Sequence, residues 1–229
     1  MVEQTVTEQA IALRHRTYFE NTWDDDAPID SVRFVVLDCE TTGLNPVSDR
    51  IITIGAVGVH RGEILIGDSF EALIKMTRNS GSVTVHGVTR DESRGGMDEP
   101  EALEAFLDYL KDGVIVGHHI GHDIASLDAG CERHWGFRLS NLCLDTMYLA
   151  LHLQKAGAFS GRKVQHEFTL DALCSLFSVP PHGRHTAAGD AFLTAQVFLR
   201  LRSLALRHGR DRLGKICEPF EQMEADEVV

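Results

Sequence analysis

Asp38 and Glu40 close an otherwise apolar run, Phe34-Val35-Val36-Leu37-Asp38-Cys39-Glu40-Thr41-Thr42-Gly43-Leu44. The run reads as a strand. Strand side chains alternate between faces, so the two carboxylates project together while Cys39 turns the other way, toward the core. Carboxylates paired at the end of a buried strand repel each other and resist desolvation, which calls for a proton or a divalent cation; the cation is the expectation. Two more acids stand near predicted helix starts. Asp123 follows Val114-Ile115-Val116-Gly117 and the histidine-rich His118-His119-Ile120-Gly121-His122, and Asp190 lies on or beside the apolar stripe of a long helix, where an acid needs a partner. None of these four carboxylates has a basic partner expected within its own motif. A strand that simply runs into a polar loop would also end in charge, and His118, His122 and Asp123 can also be read as a transition-metal cluster if His118 and His122 share a helix face.

The elements that must position these acids can be read from period and punctuation. Residues 5–20 predict a helix, with Thr5 and Glu8 as a capping box and Val6, Ala10, Leu13 and Thr17 as its apolar positions. Asp24-Asp25-Asp26-Ala27-Pro28 reads as a linker. After the first strand, Ile51 to Val59 predicts a second, Arg61-Gly62 a turn, and Glu63 to Ile66 and Phe70 to Ile74 two short strands. Leu103, Phe106, Leu107 and Leu110 recur at helical spacing behind Pro100. A short strand over Val114 to Gly117 leads to a helix marked by Ile124, Leu127 and Cys131, and Leu144-Asp145-Thr146 opens another. Lys155 to Glu167 is a Gly-rich polar loop, Leu170 to Phe177 a helix ended by Pro180-Pro181, and Thr186 to Leu206 a long helix with Ala187, Ala191, Thr194, Val197, Phe198 and Leu201 on one stripe. A strand meander followed by alternating helices and short strands predicts an α/β sheet with helices packed on it. The divisions are 1–32, an N-terminal helical extension and acidic linker; 33–205, the domain proper; and 206–229, a charged C-terminal tail.

The 229 residues, 43% hydrophobic and 24% charged, suit one domain with modest extensions. No run approaches the ~20 apolar residues of a membrane span, and the N-terminus lacks a signal-peptide pattern, so a cytoplasmic protein is expected. Five cysteines without a CxxC suggest reduced core thiols. A net charge of −12 argues against a nucleic-acid partner until its distribution is considered: residues 1–30 hold seven acids and two bases and residues 206–229 six acids and four bases, leaving −5 for the centre. If four central carboxylates hold two divalent ions, that surface is close to neutral.

Together, Asp38-x-Glu40, Asp123 after its histidine-rich junction, and His185-Thr186-Ala187-Ala188-Gly189-Asp190 resemble, in order and spacing, the three motifs of the DEDDh 3′-5′ exonucleases. That family includes the proofreading subunit of bacterial replicative DNA polymerase, ribonuclease T and oligoribonuclease. The resemblance spans about residues 33–205 and implies a ribonuclease H-like mixed sheet flanked by helices. It implies Asp38, Glu40, Asp123 and Asp190 as ligands of two Mg²⁺ or Mn²⁺ ions, and His185 as general base. Thr41, Thr42, Gly43, Leu44, His119, His122 and His86, in Val85-His86-Gly87-Val88-Thr89, fall on its substrate side. His119 stands where relatives commonly carry Asn, and His122 where they carry an aromatic, which bears on substrate grip.

The chemistry suits these residue types. Two divalent ions roughly 3.5–4 Å apart can generate a hydroxide and stabilise the leaving oxygen of a phosphodiester, and hard oxygen ligands suit Mg²⁺ or Mn²⁺. A histidine, with an unperturbed pKa of about 6.5, can accept a proton near neutral pH. The expected activity is release of nucleoside monophosphates from single-stranded 3′ ends, DNA ahead of RNA, by a stand-alone enzyme or a DNA polymerase subunit. The alternatives are a catalytically silent docking module and an RNA-trimming exoribonuclease. Phe159 and Phe168, in the polar loop, can stack bases, although a loop aromatic more often packs.

Overall fold

β1 (Phe34–Thr41) is the hinge of the architecture, pairing with β2 (Ile51–His60) in antiparallel fashion on one side and with β4 (Val114–Gly117) in parallel on the other. β3 (Glu63–Leu73) adds antiparallel to β2 and β5 (Cys143–Asp145) parallel to β4, giving the order β3-β2-β1-β4-β5. The computed structural model describes residues 9–15, 23–76, 92–159 and 168–217. Five α-helices of the domain lie within them: α1 (Glu99–Leu110), α2 (Gly121–Trp135), α3 (Thr146–Lys155), α4 (Leu170–Phe177) and α5 (Ala187–Arg207).

Alternation along β1 assigns each side chain to a layer. Phe34 and Val36 face one core with Val57, Val59, Val114 and Val116, against Phe198 and Leu201 of α5 and Leu173 of α4. The Phe34 and Phe198 rings meet edge to face, centroids 5.0 Å apart. Val35, Leu37 and Cys39 face the other core with Ile54, Ala56 and Ile115, covered by Leu103, Phe106 and Leu110 of α1 and Leu127 of α2. Asp38 and Glu40 therefore continue the α5 face, at the C-terminal end of β1 where the apolar pattern stops. The mixed sheet flanked by helices is the ribonuclease H-like α/β architecture expected from the sequence. All five cysteines are free, three of them buried. Among the described residues no helix is long and apolar enough to cross a membrane.

Several details depart from expectation. Glu63 to Leu73 is one strand, because a register shift opposite Val57/Gly58 absorbs the break that reads as a gap between two. Leu144-Asp145 belongs to the three-residue β5, too short to leave a period, and Asp145 caps α3 by accepting the Met147 N–H at 2.8 Å. α4 keeps its expected bounds, but it is closed by Ser178 in the left-handed region rather than by the prolines. Residues 9–15 are helical, but Ala10 and Leu13 are exposed while Ile11 is buried with Leu107 and Cys131, so the expected stripe is on the wrong face. Thr5, Val6, Glu8 and Thr17 lie outside the described residues. The acidic stretch at 24–28 is held against the chain after α5: Gly214 N–H donates to Asp25 O at 2.9 Å, Leu213 N–H to Ala27 O at 3.0 Å, and Ile29, fully buried, donates to Asp211 O at 3.1 Å.

Candidate active site

Three carboxylates converge where β1 meets α5. Oxygens of Asp38, Glu40 and Asp190 all lie within 4.8 Å of one another. On β1, Asp38 stands opposite Gly55 and Glu40 opposite Thr53, and the β1–β2 register shifts just after Glu40. Gly55 is what lets the helix come so close: a Cβ built there would sit 2.2 Å from the Ala188 nitrogen and 2.3 Å from the Ala187 carbonyl carbon. The first turn of α5 thus rests on bare backbone, and Asp190 reaches the β1 carboxylates. Thr186 caps the helix, its Oγ1 accepting the Gly189 N–H at 3.2 Å and donating to Gly183 O at 2.8 Å. Gly55→Ala is expected to lower the thermal midpoint, with overpacking against rigid backbone costing roughly 1–3 kcal/mol or more, and to reduce activity by lifting Asp190 away. Circular dichroism melts beside an activity assay check this; an unchanged midpoint would mean that α5 yields without cost.

Asp123 arrives differently. It lies in the first turn of α2, buried, and its Oδ1 accepts the Cys39 backbone N–H at 2.8 Å, tying α2 to the strand between the two β1 carboxylates. It is not among the three that converge, but it is near enough to raise Asp38 by repulsion. Electrostatically the cluster is under-compensated. Burial first, then Asp123, Asp190 and Glu40, hold the Asp38 carboxyl well above the usual range, opposed by Arg184. Burial, and then Asp190, push Glu40 up against the opposing charges of His185 and Arg184. Burial pushes Asp123 up to about 7 despite the Cys39 N–H. Hard oxygen donors, crowded and half-desolvated, fit Mg²⁺ or Mn²⁺.

A basic partner does reach Asp190, from one residue outside its motif. Arg184, beside His185, donates from Nη1 to Asp190 Oδ1 at 2.6 Å and from Nε and Nη2 to the two oxygens of Asp171 at 2.8 and 3.3 Å. Only its place next to the third motif could have marked it in the sequence. His185 is exposed, with φ at +63° and its N–H donating to Asp190 Oδ2 at 3.1 Å. That left-handed turn needs Gly183 and Gly189 in contact, since a Cβ on Gly189 would lie 1.9 Å from Gly183 O.

The remaining candidates divide. Thr41 Oγ1 donates to Gly43 O at 2.8 Å and lies 3.2 Å from His122 Nε2, which joins the strand end to α2. Thr42 Oγ1 donates to Asp49 Oδ1 at 2.9 Å, and the other Asp49 oxygen accepts the Asn45 N–H at 2.9 Å, bracing a turn that leaves Leu44 and Val47 88% and 82% exposed. His119 is exposed, with φ at +58°. His118 does not join His122 and Asp123 in a transition-metal cluster, because α2 begins only at Gly121; its Nδ1 is 2.9 Å from Thr146 Oγ1, and burial lowers its pKa to about 4. Phe159 and Phe168 are both core residues, 4% exposed and packed on each other, and are not placed to stack bases. His86 lies outside the described residues.

Comparison with known proteins places these features in context. The family described as Exonuclease matches residues 35–198. The chain is 34% identical over 196 residues to a DNA polymerase III of the PolC type from Thermotoga maritima, a match that covers 84% of this chain and 13% of that protein. It is 31% identical to the DNA polymerase III subunit epsilon of Buchnera aphidicola, covering 73% of this chain and 71% of that one. In fold it is similar to E. coli exonuclease I in complex with a dT13 oligonucleotide, with a TM-score of 0.64 at 18% identity over 77% of this chain and 42% of that one. The chain thus spans a small fraction of the PolC-type relatives and less than half of exonuclease I.

Proposed function

Because the chain belongs to the exonuclease family, we propose that it is a metal-dependent 3′-5′ exonuclease that releases nucleoside monophosphates from single-stranded DNA ends. The observation that carries this reading is the convergence of Asp38, Glu40 and Asp190 on one point, with Asp123 behind them. Asp38, Glu40, Asp123 and Asp190 would hold two divalent ions. When bound, these supply a Lewis acid and a lowered pKa for water at neutral pH. The rest is the chain's own work. His185, exposed beside Asp190, takes the proton of the attacking water. Thr41, Thr42, Gly43 and Leu44 are assigned to the terminal nucleotide, together with His122, which contacts Thr41, and His119, just ahead of α2.

Single-stranded DNA is favoured by what the relatives are: two are DNA polymerase III polypeptides, and the exonuclease I structure holds a dT13 oligonucleotide. The DNA polymerase III relatives support work beside a replicative polymerase, and the cytoplasm is its proposed location. Digestion of 5′-labelled single-stranded DNA, duplex DNA and short RNA with Mg²⁺ or Mn²⁺ tests the reading. A ladder that shortens from the 3′ end, fastest on single-stranded DNA, is expected. Immediate release of the 5′ label, or internal cuts, would refute the polarity. EDTA should abolish the activity and Mg²⁺ or Mn²⁺ should restore it; hydrolysis that survives chelation is incompatible with the carboxylates' assigned role.

A further inference from the structure

Arg184 bridges carboxylates on two helices that differ sharply in their surroundings. Asp190, on α5, is buried, its side chain 8% exposed, whereas Asp171, on α4, is 64% exposed. Of the Asp190 oxygens, Oδ1 accepts from Arg184 and Oδ2 from the His185 backbone N–H. Both oxygens are therefore engaged by the chain itself, although this is the carboxylate that converges with Asp38 and Glu40. A divalent cation arriving at that point and the guanidinium compete for the same oxygen and the same negative charge.

We propose that Arg184 is a positioning residue: it is the internal counter-cation of the metal-free site, and it gives up Asp190 to an incoming divalent ion while Asp171 keeps hold of it. The inference rests on the metal-dependent reading above. An arginine suits this role because its planar fork carries five donors, so the Nη1 contact can break while Nε and Nη2 stay on Asp171. The exposed Asp171 pair holds the side chain only weakly, which lets it shift without a large barrier. Displacement also leaves a tethered positive charge at the edge of the acidic cluster, where an anionic phosphodiester would approach.

Titration of Mn²⁺ into the whole chain by calorimetry, with thermal midpoints in EDTA, tests the proposal. Arg184→Gln is expected to bind Mn²⁺ roughly tenfold tighter than wild type, since the ion no longer displaces a charge-assisted pair, and to melt lower in EDTA. Asp171→Asn, at an exposed position, is expected to bind roughly two- to threefold more weakly, because the displaced guanidinium loses the partner that keeps it off Asp190. Binding that is unchanged or weaker in Arg184→Gln, or unchanged or tighter in Asp171→Asn, overturns the proposal. If Arg184→Gln does not fold, Asp171→Asn decides alone, weaker binding supporting the proposal and equal or tighter binding overturning it. A wild-type chain that binds no Mn²⁺ overturns the underlying metal reading as well, whereas a wild type that binds with unaltered variants overturns only the role given to Arg184.

Discussion

Asp38→Asn is expected to abolish turnover and at the same time to raise the thermal midpoint of the metal-free protein at neutral pH. Asp38 sits at the centre of the acidic cluster, its carboxyl held well above the usual range by burial and by three carboxylate neighbours, with Arg184 the opposing charge. Asparagine keeps the shape and removes the charge. With one ligand of the cation pair gone, the loss in turnover should be on the order of 10³-fold or more, since each ion supplies several kcal/mol of charge stabilisation. The gain in stability follows from relieved repulsion: about 1 kcal/mol would move the midpoint of a chain this size by about 2–4 °C. The pH dependence has a definite sign. A carboxyl whose folded pKa is raised gives stability that is fully present below its unfolded pKa and lost as pH rises through the folded value. For Asp123, raised from 3.8 to about 7, that window runs from about pH 4 to pH 7. Melts of the wild type in EDTA should therefore fall across it, Asp38→Asn should flatten the fall, and Mn²⁺ should reverse it. A variant that melts below wild type at pH 7 would make Asp38 a structural residue. Asp190→Asn should show no such gain, because Asp190 is already compensated and its loss leaves Arg184 on Asp171 alone.

Why the β1 carboxylates and the α5 acid were legible, and other features were not, comes down to the range over which each signal acts. Alternation along Phe34 to Glu40 and the 3.6-residue stripe of α5 are local, and they place Asp38, Glu40 and Asp190 on facing surfaces before any contact is known. The role of Gly55 needs the β1–β2 register and the height of α5 above the sheet, neither of which is written in the residues near Gly55. Arg184 was missed for a similar reason: its partner Asp171 comes from another helix, and a basic residue before a histidine carries no period. The polar surroundings of Phe159 and Phe168 left stacking and packing both open, and the fold packs Phe159 against both Phe168 and Phe177. The N-terminal stripe failed because four weakly apolar positions at helical spacing do not say which face meets α1; Ile11, one residue away, is the one buried.

His185→Asn is expected to lower turnover by roughly 10²–10⁴-fold, the usual range for loss of a general base, while Mn²⁺ affinity stays close to wild type. The choice of asparagine follows from the backbone. His185 has φ at +63°, where alanine would add strain, and asparagine tolerates that region better, so the substitution removes the imidazole and spares the turn. The contact that His185 makes with Asp190 is through its backbone N–H, which any residue at this position retains. The imidazole itself is exposed at the rim of the cluster, near enough to Glu40 to favour that carboxylate's ionised form. If the ring accepts the proton of the attacking water, Mn²⁺ titration of the variant should give near-wild-type binding with collapsed turnover at every metal concentration. If the ring instead only packs the loop over α5, the variant should bind Mn²⁺ more weakly and regain turnover at saturating metal. His185→Ala run beside it separates chemistry from geometry: when the base reading holds, both variants lose the same turnover, and only the alanine variant also loses stability.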